Sequence, residues 1–540
     1  VTDEPRAPDA DRARRGPPPA DAGGGERIGR RLWPWSVVFL TLGLALFYHA
    51  PTAADPDLFG HLRFGRDILE TRTIPRHDRY AFTSGDQEWI DHEWMSEVGF
   101  AAAYDALGNR GLLVFKLALA FGLLALLYRH AVRSGLGLVA GSVFMWPIVV
   151  LLMFGTVVAR PGLFTLIFLA LLLLTLDSAE RGRHRLLWWI PVITAGWVNF
   201  HGGVLAGLGL CAVWVGGWWL ELVWPGAPGP APERQRLALV GLAVLVVAGL
   251  ALLANPYGWR LPGFLLRTAT VPRPDITEWR PTPLGSGRGL VYLGLSVCSI
   301  AALVWSRRPI RASRLLVFAA ILLLPLTAVR HIPLYAVGIG VLLPVHVADA
   351  LERLASGVGR IRWPSGDLRP LFTGLSFAAG GLLIGGGLPY VHCILIDPRR
   401  APMYPVRAVE WIRESGIEAD LATFFDWGEY AIWHLEPSVR VSMDGRRETV
   451  YPDSIYREYQ DFQLGLGDWD AHLDEHGADM ALVSKEWAFY NLLKLKPGWD
   501  LLYEDSIAAL FAPRGSPKGA TLLSTPIPDV SQRGIGSCAP

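Results

Sequence analysis

Eleven sparsely charged apolar runs recur along this sequence, at about residues 33–50, 111–128, 136–159, 161–177, 186–200, 202–224, 237–254, 289–305, 315–329, 332–350 and 370–390. A helix crosses the hydrocarbon of a bilayer with about 20 such residues. Runs of nearly that length, repeated this often, exclude a single water-soluble core and predict an α-helical polytopic membrane protein of about eleven spans. The 22 tryptophans agree with this, because indole rings collect at the two membrane–water interfaces. The formal net charge of +1 offers no field for a nucleic acid, so none is expected as a partner.

The loops set the orientation. Counting from an inside N-terminus, the short loops YRHAVRS (128–134), DSAERGRHR (177–185), PGAPGPAPERQR (225–236), SRRPIRASR (306–314) and ERLASGVGRIRWPSGDLR (352–369) fall on one side, and every one is basic. Cytoplasmic loops carry such an excess of Lys and Arg. Residues 1–31, rich in Pro, Gly, Ala and charge, read as a disordered cytoplasmic tail. The transmembrane domain covers 32–390, with two polar loops, 51–110 and 255–288, on the outer side. Residues 391–513 alternate helical and strand patterns and read as an extracytoplasmic α/β domain with a small parallel or mixed sheet. Residues 514–540 read as a flexible tail. The implied location is a bacterial-type cytoplasmic membrane.

Four cysteines make no disulfide framework. Cys211 and Cys298 fall in apolar runs and read as small buried side chains. Cys393 and Cys538 share the outer compartment, where a bridge between them stays open. No phosphate-binding Gly-rich loop, His-Glu-x-x-His or cysteine pair at zinc spacing is present.

Polar groups gather at the outer ends of the odd-numbered runs: Asp55, Asp57 and His61 after the first, Arg160 after the third, Asn199 and His201 after the fifth, Asn255 and Tyr257 after the seventh, Arg330 and His331 after the ninth. Ionisable groups at a membrane are costly to keep without a partner or a role, and one shared cavity accounts for all of them. Asp55-Pro56-Asp57 precedes LFGHLRFGRDIL, whose apolar residues fit an amphipathic helix lying along the interface and place His61 four residues after Asp57. One carboxylate of the pair serves as a general base and the other orients it or binds a cation, unless one simply caps the helix. Asp55, Asp57, His92 and Glu93 form a mixed oxygen and imidazole set suited to Mg²⁺ or Mn²⁺. Guanidinium groups at Arg160 and Arg330, with His331, suit a phosphate; Arg267, Arg273 and Arg280 are second choices. Trp197, Trp259 and Trp279 read as belt residues. Asp426-Trp427-Gly428 and Asp444-Gly445-Arg446-Arg447 read as polar turns at strand ends.

An inside N-terminus, a first outer loop with the acidic pair Asp55 and Asp57, many spans and an outer C-terminal domain together resemble the GT-C glycosyltransferases. These are polytopic enzymes that include oligosaccharyltransferases, protein O-mannosyltransferases and aminoarabinose transferases. The resemblance implies inverting transfer of a sugar from a polyprenyl-phosphate-linked donor to an extracytoplasmic acceptor. Asp57, ahead of Asp55, is then the acidic base or cation ligand. His61, Arg160, His201, Asn255, Tyr257, Arg330 and His331 are then the substrate-binding residues, with membrane lipids around them. Two other readings share the layout: a transporter or flippase of a lipid-linked saccharide, and an inactive scaffold subunit.

Overall fold

The structure, a computed structural model, describes residues 23–85, 87–271, 273, 276–357, 368–396, 404–529 and 538. Residues 1–22 of the expected tail and 358–367 of the last basic loop lie outside these. The helical part runs α1 (Gly23–His49), α2 (Pro56–Thr71), α3 (Trp94–Ala131), α4 (Gly137–Thr156), α5 (Gly162–Glu180), α6 (Trp189–Trp197), α7 (Val204–Val223), α8 (Ala231–Ala251), α9 (Arg260–Thr270), α10 (Gly287–Trp305), α11 (Ala312–Thr327), α12 (Ile332–Leu342), α13 (Pro344–Gly357) and α14 (Arg369–Gly387). It is followed by α15 (Val406–Ser415), β1 (Ala419–Thr423), α16 (Gly428–Leu435), β2 (Val439–Val441), α17 (Asp453–Leu464), α18 (Ala471–Asp474), β3 (Met480–Ser484), α19 (Ala488–Leu495), β4 (Trp499–Glu504), β5 (Ala508–Pro513) and α20 (Pro517–Ser524).

Among the described residues, seven helical segments are long and apolar enough to cross a membrane. The count is eight if Val329–Leu342 and Pro344–Ser356, bent by 59°, form one span. The polytopic helical architecture expected from the sequence is present, and one of the seven segments, Trp94–Thr156, is itself a doubled-back pair. The run at 186–200 yields α6, whose nine residues extend about 14 Å, half the hydrocarbon thickness. The runs at 111–128 and 136–159 belong to one segment, Trp94–Thr156, that doubles back at Gly135 and Gly137. Both glycines hold positive φ (110° and 68°), which a side chain would resist. Lys116 on the first arm and Thr156 at the end of the second meet at the same place. The lysine Nζ donates to the His49 carbonyl at 2.6 Å, and the threonine hydroxyl lies 2.5 Å from the His49 ring.

The basic loops sit at the far ends of these helices, but their charge is partly neutralised. Arg314 pairs with Glu180 at 2.6 Å and with Asp177, and Arg311 pairs with Glu221 at 3.1 Å. Those ends lie about 28 Å along α5 from Arg160. Cys211 is buried as expected, whereas Cys298 lies exposed on α10.

The chain after 404 forms a five-stranded sheet of order β2-β1-β3-β5-β4. β1 runs parallel to β2 and β3, while β5 is antiparallel to β3 and β4, so the sheet is mixed. Beyond Pro513, where a flexible tail is expected, the chain forms α20, and Cys538 is disulfide-bonded to Cys393.

The loop 51–110 joins the two parts. Ala81 bridges to Val441, extending the sheet at β2, with Phe82 N donating to the Val441 carbonyl at 3.1 Å. The helix expected along the interface is instead enclosed: Leu58, Phe59, Leu62 and Phe64 of α2 are buried in the core that includes Trp427, Tyr430 and Met443 of the C-terminal part. Its apolar face meets protein because two glycines let other backbone and side chains come close. A Cβ at Gly60 would lie 2.2 Å from the Glu429 carboxylate, and one at Gly65 would lie 2.1 Å from the Glu97 carbonyl. The second contact is backbone, which cannot swing away. Gly65→Ala is therefore expected to cost about 1–3 kcal/mol or more, read as a lower midpoint in thermal unfolding of the detergent-solubilised protein.

Candidate active site

Pro56 opens α2, and Asp55 caps it by accepting the Asp57 N–H at 3.2 Å. The cap is also an ion-pair partner: Arg160 Nε donates to Asp55 Oδ1 at 2.7 Å. The remaining arms of the same guanidinium reach Asp57 Oδ2 at 3.1 Å and Glu278 Oε2 at 3.3 Å. Three carboxylates, from the end of the first connection, the first turn of α2 and the short turn Thr277–Trp279, are thus held on one arginine. Arg330 lies 3.7 Å from the other Glu278 oxygen and stacks over Trp279, 4.5 Å from the ring centroid. Arg273 lies over the same ring at 4.4 Å. Trp279, expected as a belt residue, is a platform for two cations.

Beside this group, Glu93 is ringed by imidazoles. His201 Nε2 lies 3.4 Å from its carboxylate, His92 Nε2 3.6 Å and His61 Nε2 4.0 Å. His201 accepts the Gly203 N–H on Nδ1 at 2.9 Å, so its own proton sits on Nε2, facing Glu93. Burial, then His92 and Arg330, hold this ring well below the usual histidine range. Burial holds the Glu93 carboxyl above its ordinary value against the pull of His61. His61 Nδ1 meets Glu97 at 3.0 Å. Burial, and then the Glu97 carboxyl beside it, push Asp91 well above the carboxylate range.

The C-terminal part closes over Asp57. Glu429 of α16 accepts the Gly60 N–H at 3.2 Å. A Cβ at Gly445 would lie 2.7 Å from Asp57 Oδ1 and 2.9 Å from Glu429 Oε1, so both carboxylates converge on that glycine. Burial, then Asp57 and Asp444, push the Glu429 carboxyl well up. Burial, with Asp57 and Asp55 facing it, likewise pushes Asp426 up to about 6. The unfolded chain gives up that proton near pH 4, the folded chain only near pH 6. The stability it contributes is therefore full below about pH 4 and lost as pH rises through 6, a difference of about 3 kcal/mol. Asp426→Asn removes the titration, so its melting temperature relative to the parent protein is expected to climb between pH 4 and 7.

Not every expected residue comes to this group. Asn255 is committed to its own turn, with Nδ2 donating to the Leu252 and Gly258 carbonyls at 2.7 and 2.9 Å. Tyr257 supports the loop instead: its hydroxyl accepts the Asp91 N–H at 3.0 Å and lies 3.2 Å from the Pro75 carbonyl. His331 Nδ1 turns to the Leu324 carbonyl at 3.0 Å and the Thr327 hydroxyl at 3.1 Å. Asp55, Asp57, His92 and Glu93 do not converge as one ligand set among the described residues; Arg160 occupies the first two, and His92 pairs with Glu93. Glu278 and Glu429 were missed. Glu278 is the one acid of Thr277–Trp279, in a loop, 255–288, whose five arginines outnumber its two acids, and that surplus of cations was its signal. Glu429 lies on a helix whose pattern marks it as an ordinary solvated face.

No protein-family model matches the sequence, and no curated protein sequence matches it. Among solved structures, the chain is similar to the crystal structure of the Archaeoglobus fulgidus oligosaccharyltransferase in complex with Zn and sulfate. The likeness has a TM-score of 0.52 at 11% identity and covers 88% of this chain and 73% of that one. It extends through both the helical part and the α/β part, so the chain shares the fold of that oligosaccharyltransferase structure.

Proposed function

We propose that the protein is a membrane glycosyltransferase that moves a sugar from a polyprenyl-phosphate-linked donor to an acceptor on the extracytoplasmic side. The observation that carries this reading is the gathering of Asp55, Asp57 and Glu278 on Arg160, beneath an α/β domain, within a GT-C fold. Asp57, one-third exposed, is the general base. It takes the proton of an acceptor hydroxyl or amine as that atom attacks the anomeric carbon, and the bond from this carbon to the phosphate oxygen breaks with inversion. Arg330, which lies 3.7 Å from Glu278, meets the leaving phosphate. His61 and His201 orient the sugar. The basic far ends of the helices support a site outside the cytoplasm.

The expected divalent cation, Mg²⁺ or Mn²⁺, does not fit the donors here: among the described residues no three of Asp55, Asp57, His92, Glu93 and Glu278 bring ligand atoms within 4.8 Å of one another, and Arg160 and Arg330 already hold Asp55, Asp57 and Glu278. A transporter keeps its binding groups near the bilayer midplane, whereas these cluster at one end of the helices. The test is transfer of labelled sugar from a synthetic polyprenyl-phosphate donor to cell-envelope acceptors in membranes with and without the protein. Label in acceptor material only when the protein is present supports the reading; label that stays on the lipid in both membranes sinks it.

A further inference from the structure

A second cluster of ligating side chains lies in the C-terminal part, apart from the acidic group. Glu458 projects from α17, and His472 and His476 stand four residues apart on α18 and just after it. Glu458 Oε1 is 2.8 Å from His472 Nδ1 and 2.9 Å from His476 Nε2, and the three ligand atoms lie within 4.8 Å of one another. His472 is fully buried, its ring 5.5 Å from those of both Tyr459 and Phe462. His476 Nε2 is also buried, and although it sits 2.9 Å from the carboxylate it is not aligned to hydrogen-bond with it. A contact that close without hydrogen-bond alignment suits two ligands aimed at a common third atom.

We propose that Glu458, His472 and His476 bind a divalent transition-metal ion of the zinc class, with water completing the coordination. Two imidazoles and one carboxylate are a donor set for such an ion, whereas Mg²⁺ and Ca²⁺ take oxygen alone. Bonds of about 2.1 Å to each ligand need only a small opening of the present contacts. The turn that follows α18 brings the His476 ring to 5.7 Å from that of His472, and Glu458 comes from the neighbouring helix, so the ion would lock α17 to α18 and its following turn.

The lock has a mechanical consequence. Tyr459, next to Glu458, accepts the Phe425 N–H on its hydroxyl at 2.6 Å. Phe425 precedes Asp426, the carboxyl that faces Asp57 and Asp55. The ion would therefore brace, from behind, the turn that closes the candidate active site.

The experiment uses the full chain, purified in detergent without a polyhistidine tag, stripped with chelator and titrated with Co²⁺. The expected result is one tightly bound Co²⁺ with the ligand-field absorption of a nitrogen- and oxygen-ligated low-coordinate site, and a thermal midpoint raised by the metal. His476→Asn, at a partly exposed position, and Glu458→Gln are expected to weaken binding by more than the about 10–100-fold that loss of an outer-shell partner costs, and to abolish the absorption and the thermal rise. Asp57→Asn keeps all three signals, which separates this site from the acidic group. Absence of the absorption in the parent protein at excess Co²⁺ overturns the proposal, as does parent-like affinity in folded His476→Asn.

Discussion

Asp57→Asn is expected to lower turnover by about 10²–10⁴-fold, the range that a positioned general base contributes, with little change in thermal stability. Two structural facts separate the two effects. Arg160 keeps Asp55 at 2.7 Å and Glu278 at 3.3 Å when Asp57 loses its charge, so the guanidinium is not left unpaired. The Asp57 side chain is one-third exposed, and an ion pair so placed adds little to folding. Asp55→Asn makes the contrast. Asparagine caps a helix as well as aspartate does, but the Asp55 pair with Arg160 is the shorter and more buried one, and the loss there should appear in stability as well as in rate. Turnover of a synthetic polyprenyl-phosphate sugar, measured beside the melting temperature, decides the matter. If Asp57→Asn turns over within a few-fold of the parent protein, Asp57 is not the base.

Removing Arg446 is expected to have the largest effect on stability. Its guanidinium donates twice to Asp444, at 2.9 and 2.6 Å, and once to Asp78 at 2.6 Å, and it lies within about 5 Å of the ring centroids of Phe64, Tyr80 and Trp89. Asp78 belongs to the loop 51–110 and Asp444 follows β2, so this arginine fastens the C-terminal part to the loop that carries Asp57. Both acids are buried. Arg446→Met leaves them without their cation, a change that costs about 3–5 kcal/mol. Arg446→Lys keeps the charge but not the fork or the stacking, and is expected to recover only part of the loss. The readouts are the melting temperature and the rate at which protease separates the C-terminal part from the membrane helices. A variant as stable and as protease-resistant as the parent would show that some other contact holds the two parts together.

Arg446 also illustrates the limits of reading a chain like this. In the sequence it stands in Asp-Gly-Arg-Arg after a strand, where a solvated turn is the natural expectation, because strand ends marked by Asp-Gly usually face water. Here another part of the chain covers that turn. α2 shows the same effect in reverse: its apolar spacing reads as a helix resting on lipid, but an apolar face does not say which apolar surface it will meet. Glu429 was not singled out, because helical periodicity separates polar from apolar and does not separate a polar face in water from one packed on the Gly60 backbone.

The sequence by itself determined that this chain lives in a membrane, which ends of its helices are basic, that an α/β unit follows them, and that Asp55, Asp57, Arg160 and Arg330 fall at one end. Those conclusions rest on local quantities, namely hydropathy, period and the side of each loop, which neighbouring residues settle among themselves. Tertiary structure alone decided that Arg160 would clasp Asp55, Asp57 and Glu278, and that Glu429 and Gly445 would close over the acid pair. Each of these joins positions about a hundred residues or more apart. Charge, close packing and burial act on whatever the chain brings within a few ångströms, and no local pattern records which distant partner that will be.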